Sequence, residues 1–191
     1  RIVAYYANIN NIDLNKDENY LELSKVIADF KISFLSKPAH PKWGVRVILN
    51  DQDITECIRS EDCGKSASIL AQKKLIREAL LNLQRNFGAP NNLVADGRDM
   101  GSVVFTGAVL KLFLTASDEV RASRRYKQLC QADLSVTMAA ILRDLKSRDE
   151  RDRNRSVSPL KPADDAIILD TSELSASQVQ QRVLELIKKY I

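Results

Sequence analysis

Near the middle of the chain, Leu93-Val94-Ala95-Asp96-Gly97-Arg98-Asp99-Met100-Gly101 carries a short apolar run straight into two carboxylates, a guanidinium and two glycines. Leu93 to Ala95 is too short for a stable helix and is flanked by Pro90-Asn91-Asn92 and Gly97, which predicts a buried strand. In open parallel α/β sheets ligands lie beyond the carboxyl ends of strands, so Asp96, Arg98 and Asp99 would face a crevice. A carboxylate there can hold hydrated Mg²⁺, and the planar fork of Arg98 can grip phosphate oxygens. The alternative is an ordinary strand-to-turn exit, because Asp-Gly is a common turn dipeptide.

A second charged stretch, Arg148-Asp149-Glu150-Arg151-Asp152-Arg153-Asn154-Arg155, ends a helix expected from about Val136, with Met138, Ile141, Leu142 and Leu145 turned inward. Arg148, Asp152 and Arg155 stand at i, i+4 and i+7, so one face sets two guanidiniums around a carboxylate. Asp152 could accept from a ribose hydroxyl, Arg148 could orient it and reach the sugar, and Arg155 could take a phosphate. Asp149 reads as an ordinary i, i+4 partner of Arg153, with Arg151 a less regular partner for the acids beside it. A solvent-facing ladder of ion pairs is the competing reading of the whole stretch.

The sequence Ala95-Asp96-Gly97-Arg98-Asp99-Met100-Gly101 running on into Ser102-Val103-Val104-Phe105 resembles the signature of the bacterial cytidylate kinases, P-loop nucleoside monophosphate kinases. The later order agrees: Arg148 to Arg155, then Ser156-Val157-Ser158-Pro159-Leu160, Ala163-Asp164 and Ile167-Ile168-Leu169-Asp170. The resemblance spans essentially the whole chain. It implies an α/β fold, a three-layer parallel sheet with helices on both faces and a small antiparallel insertion that binds the monophosphate. It implies transfer of the γ-phosphoryl of ATP, with Mg²⁺, onto CMP or dCMP.

Site roles follow from the same resemblance. Arg98 and Arg155 would meet the acceptor phosphate, and Arg124 and Arg125 would lie at a lid near 120–135 that closes over ATP. Ser68, Arg77 and Asp99 would hold the cytosine ring, Arg148 and Asp152 the sugar, and Asp96 would support Mg²⁺ through water. The chain starts where the family's G-[AS]-x-Y-R segment ends, so Arg1 would be that motif's phosphate-binding arginine. The glycine-rich phosphate loop expected before it does not occur, and the intact protein is expected to extend upstream. Gly64-Lys65-Ser66 does not replace it: Arg59 stands at the leading glycine position, Glu61 and Asp62 would repel phosphate, and the surrounding pattern is helical.

The elements that must position these groups can be read along the chain. Residues 1–28 and 69–191 are expected to form the core, and 29–68 the insertion. Arg1 to Ala7 reads as helix interior, and Tyr20, Leu21, Leu23, Val26, Ile27 and Phe30 have the spacing of an amphipathic helix. Ile32 and Phe34, then Val45, Val47 and Leu49, alternate as strands around a Pro38–Pro41 loop, with a hairpin turn at Asn50–Asp53. A single helix is expected over 61–86. Val109 to Thr115 reads as a strand, Ser117 as the cap of the next helix, Ile167 to Asp170 as the last strand and Leu174 to Ile187 as the closing helix.

Composition sets the outer limits. With 191 residues and 45% hydrophobic content the chain suits one α/β domain with a modest insertion. Cys57, Cys63 and Cys130 lack paired spacing, so neither a disulfide framework nor a zinc site is expected, and a reducing cytoplasm is the simplest setting. No run reaches the roughly 18 apolar residues of a membrane span. The net charge of +4 is mild, and acids interleaved among the arginines argue against a nucleic-acid-binding module, the competing class. The partners expected are nucleotides only, with neither nucleic acid nor membrane, and the acting species a monomer.

Overall fold

The computed structural model describes residues 1–88, 92–130 and 136–190. The chain divides into two compact units, Arg1–Leu93 and Val94–Ile191.

In the first unit, α1 (Ile2–Ile9) and α2 (Glu18–Val26) lead through one 3₁₀ turn into β1 (Ile32–His40), β2 (Gly44–Leu49) and β3 (Gln52–Asp53), followed by α3 (Glu61–Leu70) and α4 (Lys74–Asn86). The strands form an antiparallel sheet in that order, with Ile32 opposite Leu49 and Phe34 opposite Val47. Asn50 and Asp51 both take positive φ, 47° and 67°, the backbone that lets a two-residue loop follow the strand twist. The insertion's alternation was therefore a true strand signal. Pro38 to His40 belongs to β1, however, and only Pro41 to Trp43 forms its loop. Leu23, Ile27, Ile54 and Ile76 are almost fully buried at the centre of this unit.

The single helix expected over 61–86 is two. Gly64-Lys65-Ser66 lies inside α3, as its helical pattern required. The break falls at Lys73, whose backbone leaves the helical region (φ −88°, ψ 118°). Its ammonium pairs with Asp17 at 2.9 Å and lies over the Tyr20 ring at 4.4 Å, so a tertiary attachment to α2 accompanies the break in a continuous apolar pattern.

In the second unit, β4 (Leu112–Thr115) pairs in parallel with β5 (Ile167–Asp170), Leu112 opposite Ile167 and Thr115 opposite Asp170. Parallel pairing needs a crossover, and α5 (Asp118–Cys130) and α6 (Met138–Asn154) lie in the connection; α7 (Ala176–Tyr190) follows β5. Ser117 caps α5 by accepting from Val120 N–H at 3.3 Å, and Thr137 caps α6 by accepting from Ala140 N–H at 3.2 Å. Ala122, Leu129 and Ile141 are the buried centre between α5 and α6. The chain is thus of the mixed α/β class, with parallel pairing and a separate antiparallel sheet.

Leu93 to Ala95 forms no strand, and Val94 is 94% exposed. A strand exists only through its ladder, and among the described residues none pairs with this run. Part of the turn before it, Pro90-Asn91, and part of the expected lid, 131–135, lie outside the described residues.

Candidate active site

In the second unit the chain after Asp96 turns through Gly97, whose position is fixed by packing: an added Cβ would stand 2.8 Å from Met100 Cγ. Met100–Val104 then forms one π-helical turn, in which Val104 N–H and Phe105 N–H donate to Asp99 O (3.2 Å) and Met100 O (2.6 Å). Single π-helical turns are rare and are frequently found at functional sites. Here the turn follows Arg98, one-third exposed, and Asp99, which is buried.

Arg98 meets α6. Its Nη1 lies 3.3 Å from Asp149 Oδ1 and its Nε 3.2 Å from Asp152 Oδ2. Asp152 is also shared with Arg148, at 4.0 Å, and Arg155, at 3.8 Å from Oδ1. The helix ends at Asn154, and Arg155 has already turned to extended backbone, yet it stays near the cluster because its Nε–H donates to Ser158 O. Leu160 N–H donates to Asp152 O at 2.7 Å, folding the following loop back on the helix end. Arg98, Arg148, Asp152 and Arg155 are therefore brought together.

Asp149 is not the surface partner of Arg153 that its spacing suggested. It is 2% exposed, and its Oδ2 lies 2.5 Å from Arg121 Nη1. Arg121 in turn donates to Asp118 at 2.5 Å. Burial disfavours the Arg121 cation, but the hydrogen bonds to Asp118 and Asp149 outweigh it and raise its pKa; the same bond from Arg121 lowers that of Asp118. Ile141, Leu145 and Asp149 stand at i, i+4 and i+8, so Asp149 continues the apolar stripe of α6. That signal in the sequence could have marked it, and through it Arg121, as part of the site.

The remaining predicted residues of this unit are placed differently. Arg124 donates to Thr171 Oγ1 (3.0 Å), Thr171 O (2.6 Å) and Leu174 O (3.1 Å), tying α5 to the turn after β5. Arg125 donates to Gln128 at 2.8 Å. Asp96 is exposed, and among the described residues no three His, Cys, Asp or Glu side chains are grouped as a metal site.

In the first unit, Arg1 donates to Ile58 O at 2.7 Å and Ser60 O at 3.2 Å, beside the start of α3. Ser68 and Arg77 flank the junction of α3 and α4. Arg77 Nη1 donates to Ala71 O at 3.2 Å, while the buried Ser68 hydroxyl has no hydrogen-bond partner among the described residues. An orphaned hydroxyl of this kind is a group that a ligand can satisfy.

Fold and side chains together define an α/β protein whose second unit gathers guanidiniums around buried carboxylates, an arrangement suited to a phosphorylated ligand. A family model described as cytidylate kinase matches residues 1–189. The chain is 44% identical over 191 residues to a cytidylate kinase of Shewanella denitrificans, covering all of this chain and 82% of that protein. It is 46% identical over 185 residues to a cytidylate kinase of Pseudomonas fluorescens strain Pf-5 (96% of this chain, 78% of that one), and 45% identical over 183 residues to that of Pseudomonas putida strain KT2440, with the same coverage. The chain belongs to the cytidylate kinase family. Membership implies a phosphotransferase that takes its phosphoryl group from ATP and acts on a nucleotide.

Proposed function

We propose that the protein moves the γ-phosphoryl group of ATP onto CMP or dCMP, giving CDP or dCDP, and that the residues gathered around Asp152 hold the acceptor's sugar and phosphate. The supporting observation is the meeting of Arg98, Arg148 and Arg155 on one buried carboxylate. Catalysis of phosphoryl transfer is mainly positioning and neutralisation of charge. Arg98 and Arg155 are assigned to the acceptor phosphate, and Asp152 with Arg148 to the sugar.

Within the first unit, the cytosine ring is assigned to Ser68 and Arg77, with Arg1 as a phosphate contact and 29–68 as the monophosphate-binding insertion. The orphaned Ser68 hydroxyl supports this, since a base edge would supply its missing partner. Asp99 is assigned to the same ring. Discrimination then arises because a wrong base leaves buried polar groups unpaired.

Arg124 and Arg125 are assigned to the ATP phosphates. Arg124 can serve there only by exchanging its bonds to Thr171 and Leu174 for phosphate oxygens, so this assignment includes release of the Arg124 side chain from the turn after β5. Mg²⁺ is the proposed companion of ATP, with Asp96 meeting it through water. One carboxylate with water and substrate phosphates is a donor set that Mg²⁺ accepts. When bound it would neutralise charge on the phosphates. Action as a cytoplasmic monomer, with nucleotides as the only partners, completes the proposal; its three free thiols favour a reducing compartment.

A coupled assay with ATP and Mg²⁺, offering CMP, dCMP, UMP and AMP in turn to the intact protein, tests the reading. CMP and dCMP are expected to be turned over with the highest kcat/KM. Preference for AMP would remove the base assignment, and absence of turnover with all four would remove the function.

A further inference from the structure

We propose that Asp149 is a positioning residue: it holds Arg98 in place for the acceptor phosphate while its second oxygen is anchored by Arg121. The inference rests on the proposed role of Arg98. Asp149 is 2% exposed, and its two oxygens are directed at arginines from two other segments. Oδ2 is firmly anchored, 2.5 Å from Arg121 of α5. Oδ1 stands 3.3 Å from Arg98, yet it is buried without an aligned hydrogen-bond donor among the described residues. Asp152 Oδ2 has the same standing towards Arg98 Nε, at 3.2 Å.

The guanidinium is thus held by charge between two carboxylates one helical turn apart, and among the described residues neither facing oxygen accepts an aligned hydrogen bond from it. That leaves it localised but able to bond a phosphate, whose oxygens prefer a planar fork. The two acids cannot share the task equally. Asp152 is the carboxylate assigned to the sugar, and one that turns to a ligand is a poor fixed support. Asp149, closed off from solvent and anchored on α5, supplies the fixed one. Its removal would also leave Arg98 and Arg121 short of the anion between them.

A plain stabilising ion pair between α5 and α6 is the rival explanation, and a double-mutant cycle separates the two. Arg98→Lys, Asp149→Asn and the double variant are assayed in the intact protein, with unfolding curves taken in parallel. Asp149→Asn is expected to lower kcat/KM for CMP by about 10- to 100-fold, as misplacement of a positioned group does, with KM for ATP unchanged within about twofold. On the Arg98→Lys background the same substitution is expected to cost less than about threefold, because the group it acts through is already gone. Should Asp149→Asn fail to fold, Arg121→Lys, which keeps the charge but loses the fork, replaces it and is expected to give a smaller loss masked in the same way. Losses that multiply in the double variant would overturn the inference, as would a fall in stability with CMP kinetics unchanged. Wild-type failure to use CMP would instead strike the proposed function, and Arg98→Lys with undiminished CMP turnover would strike the role of Arg98 and this inference together.

Discussion

Ser68→Ala sets function against stability in a way the structure makes quantitative. The hydroxyl is buried and has no partner among the described residues, a condition that costs about 1–3 kcal/mol; since Ser68 as a whole is only half-buried, the lower end applies. Ser68 lies inside α3, where alanine adds about 0.5 kcal/mol of helix preference. The ligand-free protein should therefore gain about 1–2 kcal/mol. Ser66→Ala is the control on the same helix. Its hydroxyl donates to Asn8 Oδ1 at 3.1 Å, so the lost bond offsets the helix gain and the change should lie within about 0.5 kcal/mol of zero. Trp43, the chain's one tryptophan, belongs to the same unit and reports its urea unfolding by fluorescence. Use of CMP should fall about threefold to tenfold, the worth of one hydrogen bond to the base. If Ser68→Ala is no more stable than Ser66→Ala, the hydroxyl is already satisfied and the reasoning that reserves it for a base collapses.

Other perturbations test other parts of the structure. Asp53 accepts from the Thr55 hydroxyl, the Thr55 amide and Arg46, which together hold its carboxyl well below the usual carboxylate range. A depressed value stabilises the fold above the unfolded pKa of about 3.9 and loses that contribution as pH falls. The stability difference between wild type and Asp53→Asn should therefore be constant near neutrality and shrink below about pH 4; a difference that widens in acid would contradict the assigned bonds. Burial pushes the Cys63 thiol up and leaves it 1% exposed, while Cys57 and Cys130 are exposed. Alkylation of the native protein followed by mass spectrometry should label those two and spare Cys63, and rapid labelling at Cys63 would show that its unit opens. Gly97→Ala drives a methyl into Met100 and should cost about 1–3 kcal/mol, partly recovered by adding Met100→Ala; a neutral result by urea unfolding would mean the loop is not packed as described.

Much of this was legible along the chain because it depends on neighbours in sequence. The alternation of Ile32, Phe34, Val45, Val47 and Leu49 gave the paired strands, and Asn50-Asp51 the turn whose positive φ few other residues accept. Ile167 to Asp170 is the observed β5, and Arg148 meets Asp152 as their i, i+4 spacing required, whereas Arg155 reaches the same carboxylate from beyond the end of the helix. The charged motifs likewise carry the family resemblance in the sequence alone. Spacing along a helix is a local property, and so is the refusal of Gly64-Lys65-Ser66 to be a phosphate loop.

What failed depended on partners far away in sequence. Leu93 to Ala95 has a strand's composition, but no composition supplies the ladder that makes a strand. The break at Lys73 accompanies its attachment to Asp17 and Tyr20 on another helix. Nothing local in the sequence announces the bonds from Arg124 to Thr171 and Leu174, far along the chain. Asp149 is the sharpest case: by sequence it has several arginines within a turn, and it takes instead Arg98 and Arg121 from other segments. Periodicity decides which side of a helix faces inward, because that follows from bond geometry alone. Which charges then meet is decided only when packing removes water, since a buried carboxylate must find its cations wherever the fold has brought them.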